Sequence, residues 1–176
     1  MLNIFICAQF LAGFCLAFAH ETVPQRRDKQ ALRVYVFLGT DCPISQDYVG
    51  VLNEMTVRYK DRVTFMGFVP DTGRADEIKE FKDEYEVKFD LASDKNMSMI
   101  KSYNVHSTPE VVLLDNDNVV QYQGAIDNWY YSLGKHRQSP TENYLKDAIE
   151  GLLSGKAVEI RRTEVVGCII NMTHVH

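Results

Sequence analysis

The 176-residue chain lacks an excess of positive charge: its 19 basic residues are outnumbered by 24 acidic ones for a net charge of −5. Nucleic-acid backbones are held by basic side chains gathered on one face, so this balance argues against a nucleic-acid partner. The acidic residues form no block either, which leaves an ordinary solvated surface. Internal repeats, low-complexity tracts and a second compositional region are all missing, and the length suits one domain with a proper core.

Charge is also missing from the first 19 residues, MLNIFICAQFLAGFCLAFA, which end in Ala17-Phe18-Ala19. An apolar stretch closing on small-x-small is the pattern of a secretory signal peptide cut after residue 19, although no basic residue precedes it. The alternative is a retained anchor, and the membrane is a partner only in that case; the segment falls short of the roughly 20 apolar residues a span needs. Lipid attachment at Cys15 has little support because bulky Phe14 precedes it. Export, to a periplasm or to the medium, removes Cys7 and Cys15 and leaves Cys42 and Cys168 in a compartment where thiols can pair.

Residues 20–31 are polar and read as a flexible N-terminus; 32–156 read as one domain and 157–176 as an extended tail. The β-branched and aromatic run LRVYVFLG (32–39) predicts a buried strand. Apolar residues at Tyr48, Val51, Leu52, Met55 and Tyr59 predict a helix over 45–59. RVTFMGFV (62–69) predicts a second buried strand, 74–87 an amphipathic helix, 88–94 a short strand, and 96–105 a short helix. Strands follow at 110–115 and 119–124 around an Asn-Asp-Asn turn. A long loop spans 125–139, and a helix spans 141–155 with Thr141 as N-cap and Gly155 at its end. The first strand–helix–strand unit predicts parallel pairing and the later strands a hairpin. The fold class is therefore α/β, with a central mixed sheet of four to five strands and helices on both faces.

The stretch FLGTDCPIS (37–45) carries the chemistry. Cys42 falls where a strand ends and a helix begins, and Pro43 fits the first helical turn. The free N–H groups and the dipole of that turn favour thiolate over thiol, and thiolate is the nucleophile. Cys168 admits several readings. It can resolve an oxidised Cys42, form a fixed disulfide with it, or join His174 and His176 in a copper or zinc site with Cys42. It can also be unrelated. Bridging requires Cα atoms within roughly 7 Å. In the long loop, Arg137 stands near Trp129, Lys135 and His136 as a candidate cation for lowering the pKa of Cys42. DNDN (115–118) lacks the glycine and distal glutamate of a calcium loop, and Asn96 and Asn171 open glycosylation sequons.

The order strand, Cys-Pro-x-Ser, helix, then Thr108-Pro109 before a later strand resembles the thioredoxin-like superfamily. FLGTDCPIS, STPEVVLLD, YQGAIDNWY and the terminal GCII are similar to exported bacterial proteins of its redoxin, or alkyl hydroperoxide reductase and thiol-specific antioxidant, branch. The resemblance covers residues 30–170. It implies a thioredoxin-like fold, a cis peptide at Thr108-Pro109 beside the cysteine, and an antioxidant or oxidoreductase activity without a bound cofactor. Its partners would be protein or small-molecule disulfides, or peroxides, together with a reductant. Two departures stand out. The place of a second local thiol holds Ser45, which can hydrogen-bond the thiolate or cap the helix. Thr40 stands two residues before the cysteine rather than three, with no proline upstream in that window.

Overall fold

A computed structural model describes residues 32–70 and 76–171. The expected leader (1–19), the polar N-terminus (20–31), His174 and His176 lie outside the described residues. Strand β1 (Leu32–Phe37) alternates its side chains, with Leu32, Val34 and Val36 entering one apolar cluster and Phe37 the other, where Tyr35 packs. It lies at the centre of the sheet, pairing in parallel with β2 (Val63–Pro70) and antiparallel with a strand at Glu110–Leu114.

Helix α1 (Pro43–Tyr59) starts at the proline and buries Ile44, Tyr48, Leu52, Met55 and Tyr59 on one face. Helix α2 (Glu77–Glu84) is shorter than the pattern over 74–87 suggested: Glu86 adopts φ 50°, ending the helix so that Val87 and Phe89 turn into the core. Strand β3 (Asp90–Asp94) joins β2 in parallel. A 3-10 turn at Lys95–Met97 then leads into α3 (Ser98–Tyr103). Buried Asp94 accepts the Ser98 hydroxyl and the N–H groups of Met99 and Ile100, each at 2.9 Å. Its carboxylate thus satisfies the donors that a helix start leaves open.

Strand β4 (Ser107–Thr108) stands apart from the main sheet, and β5 (Glu110–Leu114) forms the expected hairpin with β6 (Val120–Gly124). Asp115 Oδ1 accepts the N–H groups of Asp117 and Val119, so DNDN is a turn. The main sheet has the order β3-β2-β1-β5-β6. Helices α1, α2 and a later helix contribute to one apolar cluster, and α3 contributes to the cluster on the opposite face.

Two expectations need correction. The 125–139 segment is not all loop: β7 (Tyr130–Ser132) and β8 (Lys135–His136) form a small hairpin turned at Gly134, whose φ is +66°. Helix α4 (Tyr144–Leu153) begins after Asn143 rather than Thr141. The Asn128 side-chain N–H donates to the Thr141 hydroxyl oxygen, and its Oδ1 accepts the N–H groups of Thr141 and Glu142, tying those residues into the preceding loop.

The stretch 157–171 contains no helix. It runs beside β6 through Gln123 N–H to Arg161 O (3.0 Å) and Thr163 N–H to Gln123 O (3.2 Å), and ends in β9 (Cys168–Ile169), antiparallel to β4. Gly124 (φ +148°) makes the crossing possible, because a Cβ there would stand 2.3–2.8 Å from Thr163 atoms.

Candidate active site

The end of β1 delivers the cysteine. Leu38 N–H bonds Phe68 O, the chain turns at Gly39, and Cys42 N–H reaches back to Gly39 O at 3.2 Å. A Cβ on Gly39 would stand 3.0 Å from Thr108 Oγ1 and 3.1 Å from Cys42 Cβ, so glycine lets the turn close. Cys42 is the N-cap of α1 with extended backbone, its carbonyl accepts Gln46 N–H, and no acidic residue occupies the first turn. The positive end of the helix dipole is therefore directed at this sulfur without a competing side-chain charge from that turn.

Facing it is the Thr108-Pro109 bond, which is cis. Cys42 Sγ lies 3.4 Å from Thr108 O. In β9, Cys168 is paired with Thr108, and its sulfur is joined to that of Cys42 as a disulfide with Cα atoms 6.1 Å apart. The tail folds back across the end of the sheet, within the bridging limit of roughly 7 Å. It also covers the site: Cys42 is only 2% exposed, while Cys168 is half-buried. In the bridged state this strand-end cysteine is buried.

The other candidates have different partners. Ser45 is fully buried, and its Oγ accepts Gly39 N–H at 3.2 Å. It closes the turn, a role that neither the thiolate-donor nor the helix-cap expectation anticipated. The Thr40 hydroxyl donates to a Glu77 carboxylate oxygen, and the Thr40 carbonyl accepts Gln46 Nε2 at 2.8 Å. Arg137 donates to Asn128 O at 2.5 Å and stacks 5.3 Å from the Tyr131 ring centre, so its hydrogen bond goes to backbone rather than to sulfur.

Arg137 nonetheless borders a cavity of about 190 Å³ next to the cis proline, lined also by Tyr48, Pro109, Asp127, Tyr130 and Val166. Asp127 was not singled out in the sequence, where nothing separates it from a loop acid. It is buried, and its Oδ1 accepts the Tyr48 hydroxyl at 2.5 Å and Trp129 N–H at 2.8 Å. Burial pushes its carboxyl above the usual range, and burial together with this carboxylate pushes the Tyr48 phenol up.

A folded carboxyl titrating above its unfolded value of about 3.9 means that folding takes up a proton between the two values. Stability then falls as the pH rises through that window. Asp127→Asn keeps an oxygen that can accept both hydrogen bonds and is expected to remove this part of the slope. Denaturant unfolding of both proteins from about pH 4 to about pH 8 checks it. An unchanged slope in the variant would contradict the assignment.

Comparison with known proteins adds the family. Residues 20–123 match the model of the AhpC/TSA family. The chain belongs to that family. The matched stretch contains Cys42, Thr108 and Pro109; Arg137 and Cys168 lie beyond it. Among curated proteins the chain is similar to thiol-disulfide oxidoreductase ResA of Bacillus anthracis, 29% identical over 111 residues that make up 62% of this chain and 59% of ResA. ResA of a Bacillus cereus strain is 31% identical over 85 residues, 48% of this chain and 49% of the relative. The chain thus spans less than two thirds of these relatives. In three dimensions it is similar to an uncharacterized conserved protein from Geobacillus kaustophilus, with TM-score 0.72, 20% identity and coverage of 84% and 81% of the two chains. A hypothetical protein from Sinorhizobium meliloti 1021 gives TM-score 0.69, 22% identity and coverage of 81% and 80%. At these identities the structural likeness speaks to the fold, which is thioredoxin-like.

Proposed function

We propose that the chain is an exported thiol-disulfide oxidoreductase in which Cys42 is the attacking thiolate and Cys168 its resolving partner. The observation that carries this reading is the Cys42–Cys168 bridge at the N-terminus of α1, against the cis Thr108-Pro109 edge. The ResA relatives support disulfides, of proteins or small molecules, as the substrate class.

The cycle starts from the bridged form. A thiol reductant meets the more accessible Cys168 first. Its thiolate bonds to Cys168 Sγ, the Cys42–Cys168 bond breaks, and Cys42 leaves as a thiolate stabilised by the helix N-terminus. A second reductant thiol frees Cys168. Cys42 then attacks a substrate disulfide, forming a mixed disulfide and expelling one substrate thiolate, which takes up a proton. Cys168 attacks Cys42 Sγ, releases the second substrate thiol and restores the bridge. Two electrons pass from reductant to substrate, and the β4 edge with Pro109 holds the substrate chain.

Peroxide is the second substrate class raised by the family name. The Thr40 hydroxyl, which would have to serve a peroxide at the sulfur, is engaged by Glu77. For the metal-binding alternative, the bridge removes both thiolate ligands in this state, and among the described residues no group of three or more His, Cys, Asp and Glu could hold an ion. Arg137, Ser45 and Thr40 act in this scheme by shaping the turn and the neighbouring cavity.

Turnover of a disulfide-bonded protein by the full chain, with a dithiol as reductant, tests the proposal. Cys42→Ser is expected to lose at least about 1000-fold, as removal of a nucleophile does. Cys168→Ser is expected to attack normally and to accumulate mixed disulfide. Wild-type turnover by Cys42→Ser would exclude this function, and faster consumption of peroxide than of disulfide would favour the peroxide reading.

A further inference from the structure

We infer that the bound tail is a built-in copy of the partner segment: the reduced protein selects polypeptides with a glycine immediately before the exchanging cysteine and an aliphatic residue two places after it. The inference rests on the proposed oxidoreductase function and specifies its substrate class.

Three features of the docked tail set the pattern. First, Gly167 passes against the cis-proline edge so closely that a Cβ there would stand 2.3 Å from Thr108 O and 2.8 Å from Thr108 C. These are backbone atoms of a buried residue, so they cannot yield as a flexible side chain would. Second, Ile170 is buried, its N–H bonds His106 O at 2.9 Å, and its side chain joins the cluster containing Phe37, Ile100 and Val105. Third, Ile169 between them is 87% exposed, so that position carries no preference. Backbone pairing with β4 fixes the register, with Ser107 opposite Ile169 and Thr108 opposite Cys168. The site therefore reads Gly-Cys-x-aliphatic in an extended strand. Tail and partner compete for the same edge, so the attack of Cys168 that breaks the mixed disulfide is also a strand exchange that expels the partner.

The full chain carrying C7S, C15S and C168S leaves Cys42 as the sole thiol. It is reacted with the peptide Val-Val-Gly-Cys-Ile-Ile-Asn, whose cysteine is a mixed disulfide with 5-thio-2-nitrobenzoate. Cys42 bonds to the peptide sulfur, the peptide–thionitrobenzoate bond breaks, and the coloured thiolate is released. Replacing the peptide glycine by valine, or the second isoleucine by aspartate, is expected to slow release about tenfold or more, the effect of roughly 1.4 kcal/mol. Aspartate in place of the first isoleucine is expected to stay within about threefold, which controls for charge. Equal rates for all four peptides overturn the inference and leave the oxidoreductase reading standing if dithiobis-nitrobenzoate itself labels Cys42. Failure of every disulfide to label Cys42 removes both. In a chain retaining all four cysteines, G167A is expected to shift the glutathione ratio at half-closure of the bridge about tenfold toward the open form. An unchanged ratio overturns the steric argument even if the multiple serine variant does not fold.

Discussion

Opening the Cys42–Cys168 bridge is expected to lower the stability of the fold by about 2–4 kcal/mol. The two cysteines are 126 residues apart, so the bridge closes nearly the whole described chain into a loop. Chain entropy alone assigns about 5 kcal/mol to a loop of that size. The open form recovers part of this through a Cys42 thiolate at the helix N-terminus, a term of about 0.3–1 kcal/mol or somewhat more. The tail contributes only the edge of the core: Ile170 is its one buried apolar side chain in the 157–171 stretch, and Val158, Val166 and Cys168 pack against the core only partly buried. Reduction should therefore leave a folded protein whose midpoint falls by roughly 10 °C. Thermal unfolding with and without reductant, alongside Cys168→Ser, measures it. Identical midpoints would mean that the bridge constrains nothing the fold needs.

Gly124→Ala is expected to cost about 2–5 kcal/mol, combining backbone strain with overpacking. At φ +148° an alanine is strained whatever the space, and its Cβ would lie 2.3 Å from Thr163 Oγ1, 2.7 Å from Thr163 O and 2.8 Å from Thr163 N. The Thr163 hydroxyl meets the Tyr122 hydroxyl at 2.7 Å and accepts Ala125 N–H at 3.0 Å, so moving it also disturbs the fully buried Tyr122. Thr163 N–H to Gln123 O is one of the bonds that lay the tail along β6. The variant should thus unfold earlier and also form the bridge less completely. Denaturant unfolding and a thiol count in a glutathione buffer check the two effects together. Wild-type values for both would show that the tail reaches Thr108 without this crossing.

The two strand runs around Cys42 and the α1 pattern were legible because buried strands and one-sided helices write their period into the sequence, as at Leu32–Phe37 and at Tyr48, Leu52, Met55 and Tyr59. The reactive turn was legible because Cys42-Pro43 combines a nucleophile with a helix start. The partners of the surrounding side chains were not. That Ser45 would close the Gly39 turn, or that Thr40 would meet Glu77, depends on contacts across 6 and 37 residues that no local period encodes. The register that brings Cys168 to Thr108 is likewise non-local, although Gly167 beside the cysteine is a local signal of close backbone approach. Asp127 was hidden because its raised pKa comes from burial in the folded chain, and its own neighbours in the sequence are ordinary.

The reduction potential of the Cys42–Cys168 pair in the full chain, read by thiol trapping across glutathione and dithiothreitol buffers, addresses the central claim. A catalytic pair whose leaving thiolate is held by a helix N-terminus should equilibrate above about −300 mV, in the range of exchanging disulfides. A bridge that remains closed well below about −300 mV would be a fixed strut, and the thiol chemistry assigned to Cys42 would be wrong.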